Sequence, residues 1–151
     1  MLAGRGGAAM ALPSYAVRIQ NGGVPRGAAP HADPVLRRLR AVCLSYPETT
    51  EQEAWGHPNF RAGRKVFAAF EHVGGRPSIA FRLGATDVDL LIHRRNFFPT
   101  PYGRGQWASV WADGRVNWRL VERLLERSYR TVAIGRMIAA LDASRGRRGL
   151  R

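Results

Sequence analysis

The chain reads as a small α+β domain in which one antiparallel sheet carries helices packed on one face. Three observations predict this. Apolar residues recur at helical spacing at both ends of the region with foldable composition, and a run of short alternating segments joined by glycine-rich turns lies between them. A short helix-like segment interrupts that run. The predicted order is helix, four strands, helix, one or two strands, helix. With 151 residues, 45% of them hydrophobic, one domain around one compact core is expected.

Asp33 and Pro34 open the first helix, since Asp accepts from free N–H groups and Pro suits the first turn. Val35, Leu36, Leu39, Val42 and Cys43 then share a stripe, and Pro47 ends the helix near Ser45. Four strands follow over 51–55, 59–62, 65–71 and 77–83, separated by turns at 56–58, 63–64 and 74–75. In the fourth, Ile79, Phe81 and Leu83 lie on one face. Trp55 is expected in the core with Phe60 and Phe67. Thr86 is the expected cap of a short helix over 87–93, and Pro99 and Pro101 make 97–102 irregular or extended. A strand over 106–112 places Trp107, Ser109 and Trp111 on one face. Asn117 caps the longest helix, to about Ala133, with Leu120, Val121, Leu124, Leu125 and Val132 buried and Arg119, Glu122, Arg123, Glu126, Arg127 and Arg130 outside. One or two more helical turns are expected over 136–141.

The predicted domain spans 33–142. Residues 1–32, rich in Gly, Ala and Pro, read as a disordered tail, and 143–151 as a short basic disordered one. The net charge is +13, with Lys65 the sole lysine. Within 33–142 there are 17 basic and 11 acidic residues; the other seven arginines fall in the two tails. Charge alone fits either a polyanionic partner or a solvated basic surface. No stretch is long and apolar enough to cross a membrane, and the first residues lack the apolar core of a signal peptide, so a soluble cytoplasmic protein is expected. One cysteine, Cys43, allows neither an internal disulfide nor a zinc ribbon.

The segments Trp55-Gly56-His57-Pro58-Asn59-Phe60, Arg76-Pro77-Ser78, Thr100-Pro101-Tyr102, Gln106-Trp107-Ala108-Ser109-Val110 and Ser128-Tyr129-Arg130 resemble the MmcQ/YjbR family over about residues 34–141. The resemblance implies a frataxin-like (CyaY-like) α+β layout, also called a double-wing fold, and a DNA-binding role. Members often carry acidic residues where this chain has Arg115-Val116-Asn117-Trp118-Arg119, which makes this surface more basic.

Neither metal nor cofactor is expected. His31, His57, His72 and His93 have no i, i+3 or i, i+4 spacing and no cysteine pair beside them. Cys43 lies on an apolar stripe, as a buried small hydrophobe does, and His57 reads as a tie within a turn. No catalytic residue is therefore assigned. The expected partner is DNA, gripped mainly and non-specifically by its phosphates through turn-borne cations: Arg61, Arg64, Lys65, Arg76 and Arg104, with Trp107 available for stacking. The alternative is a protein-interaction or small-ligand module using the sheet face near Trp55, His57, Tyr102 and Trp107, because the residues that carry the resemblance are aromatic, His and Pro rather than Arg.

Overall fold

The computed structural model describes residues 33–149. In chain order these form α1 (Pro34–Cys43), β1 (Thr49–Ala54), β2 (His57–Ala62), β3 (Lys65–Val73), β4 (Arg76–Arg82), α2 (Ala85–Leu91), β5 (Phe97–Pro99), β6 (Trp107–Trp111), α3 (Trp118–Val132) and α4 (Gly135–Gly149). The six strands make one antiparallel sheet in the order β1-β2-β3-β4-β6-β5. The first four are a meander. After α2 the chain returns to lay β5 at the far edge, and β6 fills the place between β5 and β4.

Two neighbouring rows across the sheet define its faces. Glu51, Phe60, Ala68, Phe81 and Ala108 are successive cross-strand partners. All but Glu51 are buried in the main core with Leu36, Leu39, Val121, Leu125, Tyr129 and Met137 from the helices. The next row, Gln52, Asn59, Ala69, Ala80, Ser109 and Phe98, points the other way. That second face carries a small separate cluster of Ala69, Ala80 and Trp107, with Val66 and Tyr102 against it. The helices therefore cover one face, as the sequence predicts.

Ser128 seats α3 on the sheet. The β3–β4 ladder stops at Ala68 and Phe81, and beyond it the strands part. The Ser128 hydroxyl accepts from the Arg82 N–H at 2.9 Å and lies 2.5 Å from the Phe67 carbonyl and 2.8 Å from that of Arg82. Its one proton serves either carbonyl. The hydroxyl thus takes over a rung that the backbone no longer makes.

Several sequence expectations are corrected. Trp55 is not in the core: it is 51% exposed, on the two-residue turn Trp55-Gly56 between paired Ala54 and His57. The turn is one residue shorter than expected because His57 and Pro58 join β2. Thr86 is not a cap. Gly84, at φ 86°, bonds the Gln106 carbonyl and turns the chain into α2 one residue before Ala85. Residues 143–149 are helical rather than a disordered tail, the Arg145–Glu126 and Arg130–Asp142 pairs holding α4 against α3. The tail expected over 1–32 lies outside the described residues. None of the described helices is long and apolar enough to cross a membrane.

Candidate nucleic-acid interface and an aromatic cleft

Extending α4 changes where the charge sits. Residues 33–149 hold 20 basic and 11 acidic side chains, a net of +9, so most of the excess belongs to the folded unit. Seven acids are spent on ion pairs: Glu48, Glu51, Asp87, Asp113, Glu122, Glu126 and Asp142. The arginines left over are concentrated on the helix layer.

The inward stripe of α3 is Val121, Leu124, Leu125, Ser128, Tyr129 and Val132, which turns Arg119, Arg123 and Arg127 outward along one ridge. A groove of about 640 Å³ between α1, α3 and α4 is lined by Arg38, Arg119, Arg123, Arg145 and Arg148, against Glu122 and Glu126. Arg123 also lines a second groove of about 310 Å³ with Arg94 and Arg127. Arg94 continues into a third of about 360 Å³ with Arg95 and Arg115. The three share walls and form one basic tract. Arg127 is held by Asp87 at 2.8 Å, Arg38 by Glu122 at 3.4 Å and Arg145 by Glu126 at 2.5 Å. Arg94, Arg95, Arg115, Arg119, Arg123 and Arg148 are exposed and have no ion-pair or hydrogen-bond partner among the described residues.

The turn-borne cations do not form one patch. Arg64 and Lys65 are exposed at the β2–β3 turn. Arg76 pairs with Val73 at the opposite end of β3, eight residues and roughly 26 Å away. Arg76 is also engaged internally: it donates to Asp113 at 2.6 and 3.2 Å and lies 3.9 Å over the Trp111 ring. The hydrogen bond between them raises the guanidinium pKa and lowers that of the carboxyl. Arg61 is half-buried, and Arg104 is exposed in the loop before β6 at φ 51°. Trp107 is 9% exposed.

On the face away from the helices, the structure does bring Trp55, His57, Tyr102 and Trp107 together. With Asn59, Val66 and Gly103 they line a cleft of about 230 Å³. The Tyr102 and Trp107 rings lie 5.8 Å apart, tilted by 59°. Gly103, at φ 83°, packs so closely that a Cβ there would come within 2.1 Å of the Trp107 ring. Behind the cleft Glu71 is fully buried, accepting from the Tyr102 hydroxyl at 2.5 Å. Its other oxygen is 3.5 Å from His57 Nε2. His57 is 4% exposed, and neither ring nitrogen has a hydrogen-bond partner of good geometry among the described residues. Burial pushes its pKa down to about 4; the Trp55 main chain opposes this more weakly. Both amide hydrogens of Asn59 are used, on the Ala54 and His57 carbonyls at 3.1 and 3.0 Å, which leaves its Oδ1.

Cys43 is buried in the main core, and burial raises its thiol pKa well above the usual range. Among the described residues no group of three or more His, Cys, Asp or Glu side chains could hold a metal ion.

These features define a two-layer α+β domain with an arginine-lined helix side and an aromatic cleft on the sheet side. The chain belongs to the YjbR family, whose model matches residues 44–131. The match includes neither α1 nor any of α4. A Deinococcus radiodurans protein, DR2400, described as a DUF419 domain, is similar in structure with a TM-score of 0.53 and 20% identity, over 62% of this chain and 75% of that one. A Pseudomonas syringae protein solved by structural genomics gives 0.56 and 14%, over 63% and 96%. Both likenesses concern the fold. A comparison with curated proteins finds no match.

Proposed function

We propose that this protein is a non-enzymatic DNA-binding module that holds the phosphate backbone in the arginine tract across α3. The observation that carries this reading is the run of six exposed, unpartnered guanidinium groups lining connected grooves: Arg94, Arg95, Arg115, Arg119, Arg123 and Arg148. Leaving that many like charges adjacent costs repulsion, which a polyphosphate removes. Guanidinium forks match phosphate oxygens in pairs, and such contacts fix position on a duplex without reading sequence. The hairpin-tip reading is less well supported, since Arg76 is taken by Asp113 and sits at the opposite end of β3 from Arg64 and Lys65. No covalent chemistry is assigned in this reading: Cys43 is sealed in the core, and burial lowers the pKa of His57.

Titration of a duplex at several salt concentrations tests the proposal. Each phosphate neutralised contributes about −0.9 to the slope of log affinity on log salt, so full use of the tract gives a slope of about −5. Replacing Arg119, Arg123 and Arg148 by Gln should weaken binding and make the slope shallower by about 3. Replacing Arg64 and Lys65 by Gln should change little. Salt-independent binding, or a groove variant that binds like the parent while the hairpin variant does not, rules out the α3 tract.

A further inference from the structure

We propose that the cleft between Trp55 and Trp107 binds a small planar heteroaromatic ring of the nucleobase class, stacked on the indoles and hydrogen-bonded by His57 and Asn59. The site is on the sheet face away from the arginine tract and does not depend on it.

Three observations converge. The first is Trp55 itself. It occupies the first central position of a two-residue hairpin turn at φ 53°, followed by Gly56 at φ 80°. Turns with two positive φ values favour Asn, Asp or Gly there, because other side chains are strained in that conformation. A tryptophan that is strained and yet half-exposed contributes little to the core, so folding does not account for it. Strain of this kind collects at binding sites.

The second is His57. The ring is 4% exposed, and its nitrogens have no hydrogen bond of good geometry among the described residues, only Glu71 at 3.5 Å and the Trp55 main chain nearby, so its hydrogen-bonding capacity is incompletely used. Neutral imidazole offers one donor and one acceptor, and the Asn59 Oδ1 beside it is a further acceptor. A ring bearing both N–H and lone-pair nitrogen or carbonyl oxygen answers all three; a hydrocarbon ring answers none.

The third is size and charge. At about 230 Å³ the cleft is below the roughly 300–1,000 Å³ of sites for drug-sized ligands, so it accommodates one ring system with any sugar left outside. Its walls are aromatic, and aromatic faces also attract cations. The net charge of +9 over the folded residues works against a cation and favours a neutral ring or one with an anionic substituent.

Adenosine, uridine, adenosine monophosphate and a short single-stranded oligonucleotide, each added to the full chain and followed by indole N–H NMR, test this. Expected are saturable shifts of Trp55 and Trp107 with little change at Trp118. Trp55→Asn, which suits the turn, should keep or raise the melting temperature while weakening binding at least tenfold. Trp55→Phe should stay within a few-fold of the parent. Binding of nucleoside and oligonucleotide alike assigns the cleft to unpaired bases, and binding of nucleoside alone assigns it to a free metabolite. Retained nucleoside binding in the Arg119, Arg123 and Arg148 variant separates this site from the groove. Absence of indole shifts at millimolar nucleoside, or undiminished binding by Trp55→Asn, overturns the proposal.

Discussion

Tyr102 donates its hydroxyl to the fully buried carboxylate of Glu71 at 2.5 Å, joining the loop before β6 to the middle of the sheet across 31 residues of chain. This bond anchors one wall of the aromatic cleft. Tyr102→Phe removes a donor from a buried carboxylate and should cost about 1–3 kcal/mol of stability. Hydrogen exchange should show the 100–106 loop opening first. Unchanged stability together with unchanged loop protection would contradict the role given to this bond.

Ser128→Ala should cost about 1–3 kcal/mol, because it leaves the Arg82 N–H and a carbonyl of the parted strands without their partner. Urea unfolding measures the loss. Ser128→Val should be worse, since it adds bulk where the hydroxyl meets two strands.

Stability should fall as the solution is acidified from about pH 6.5 to about pH 4, partly through His57. Its folded pKa is lowered from the ordinary 6.5 to about 4, so in this window the unfolded chain binds a proton that the folded one refuses. The loss is on the order of 3 kcal/mol at most and levels off below pH 4. Glu71 on β3 faces the ring, with its other oxygen bonded by Tyr102, and His72, also lowered by burial, adds to the slope with the same sign. His57→Gln should flatten the slope without abolishing it. A slope identical to the parent's would refute the assignment.

Gly103→Ala should destabilise by at least about 2 kcal/mol. A Cβ would collide with the Trp107 ring at 2.1 Å, and the φ of 83° is strained for alanine. Near-UV circular dichroism should register the displaced indole. Gly105→Ala, at φ 79° but with open space around it, should cost less.

Much of the layout is legible in the sequence because it is local. Period and punctuation place α1, the meander and α3, and Asp33 and Asn117 act as the caps they look like. The errors arise where a distant partner decides. Gly146 and Gly149 suggest an unfolded tail, yet ion pairs between α4 and α3 hold Arg145 and its neighbours in a helix. Trp55 resembles core by composition; only the pairing of Ala54 with His57 reveals that it sits on a turn. The cleft was legible as a list of aromatic and histidine residues shared with a family. The arginine tract was less so. Arg119 and Arg123 could be placed on the outer face of α3, but their alignment with Arg94, Arg115 and Arg148 depends on how three helices and a loop meet. The basic stretch over 115–119 was the one local sign of it.

The strand order also determines what borders the sheet. β1, with Glu51, Gln52 and Glu53, forms one margin, and the three-residue β5 ending in Pro99 forms the other. Carboxylates on one side, and a short strand closed by a residue without an N–H on the other, make poor templates for a foreign strand. Both margins therefore disfavour edge-to-edge pairing of the sheet with a second copy of itself.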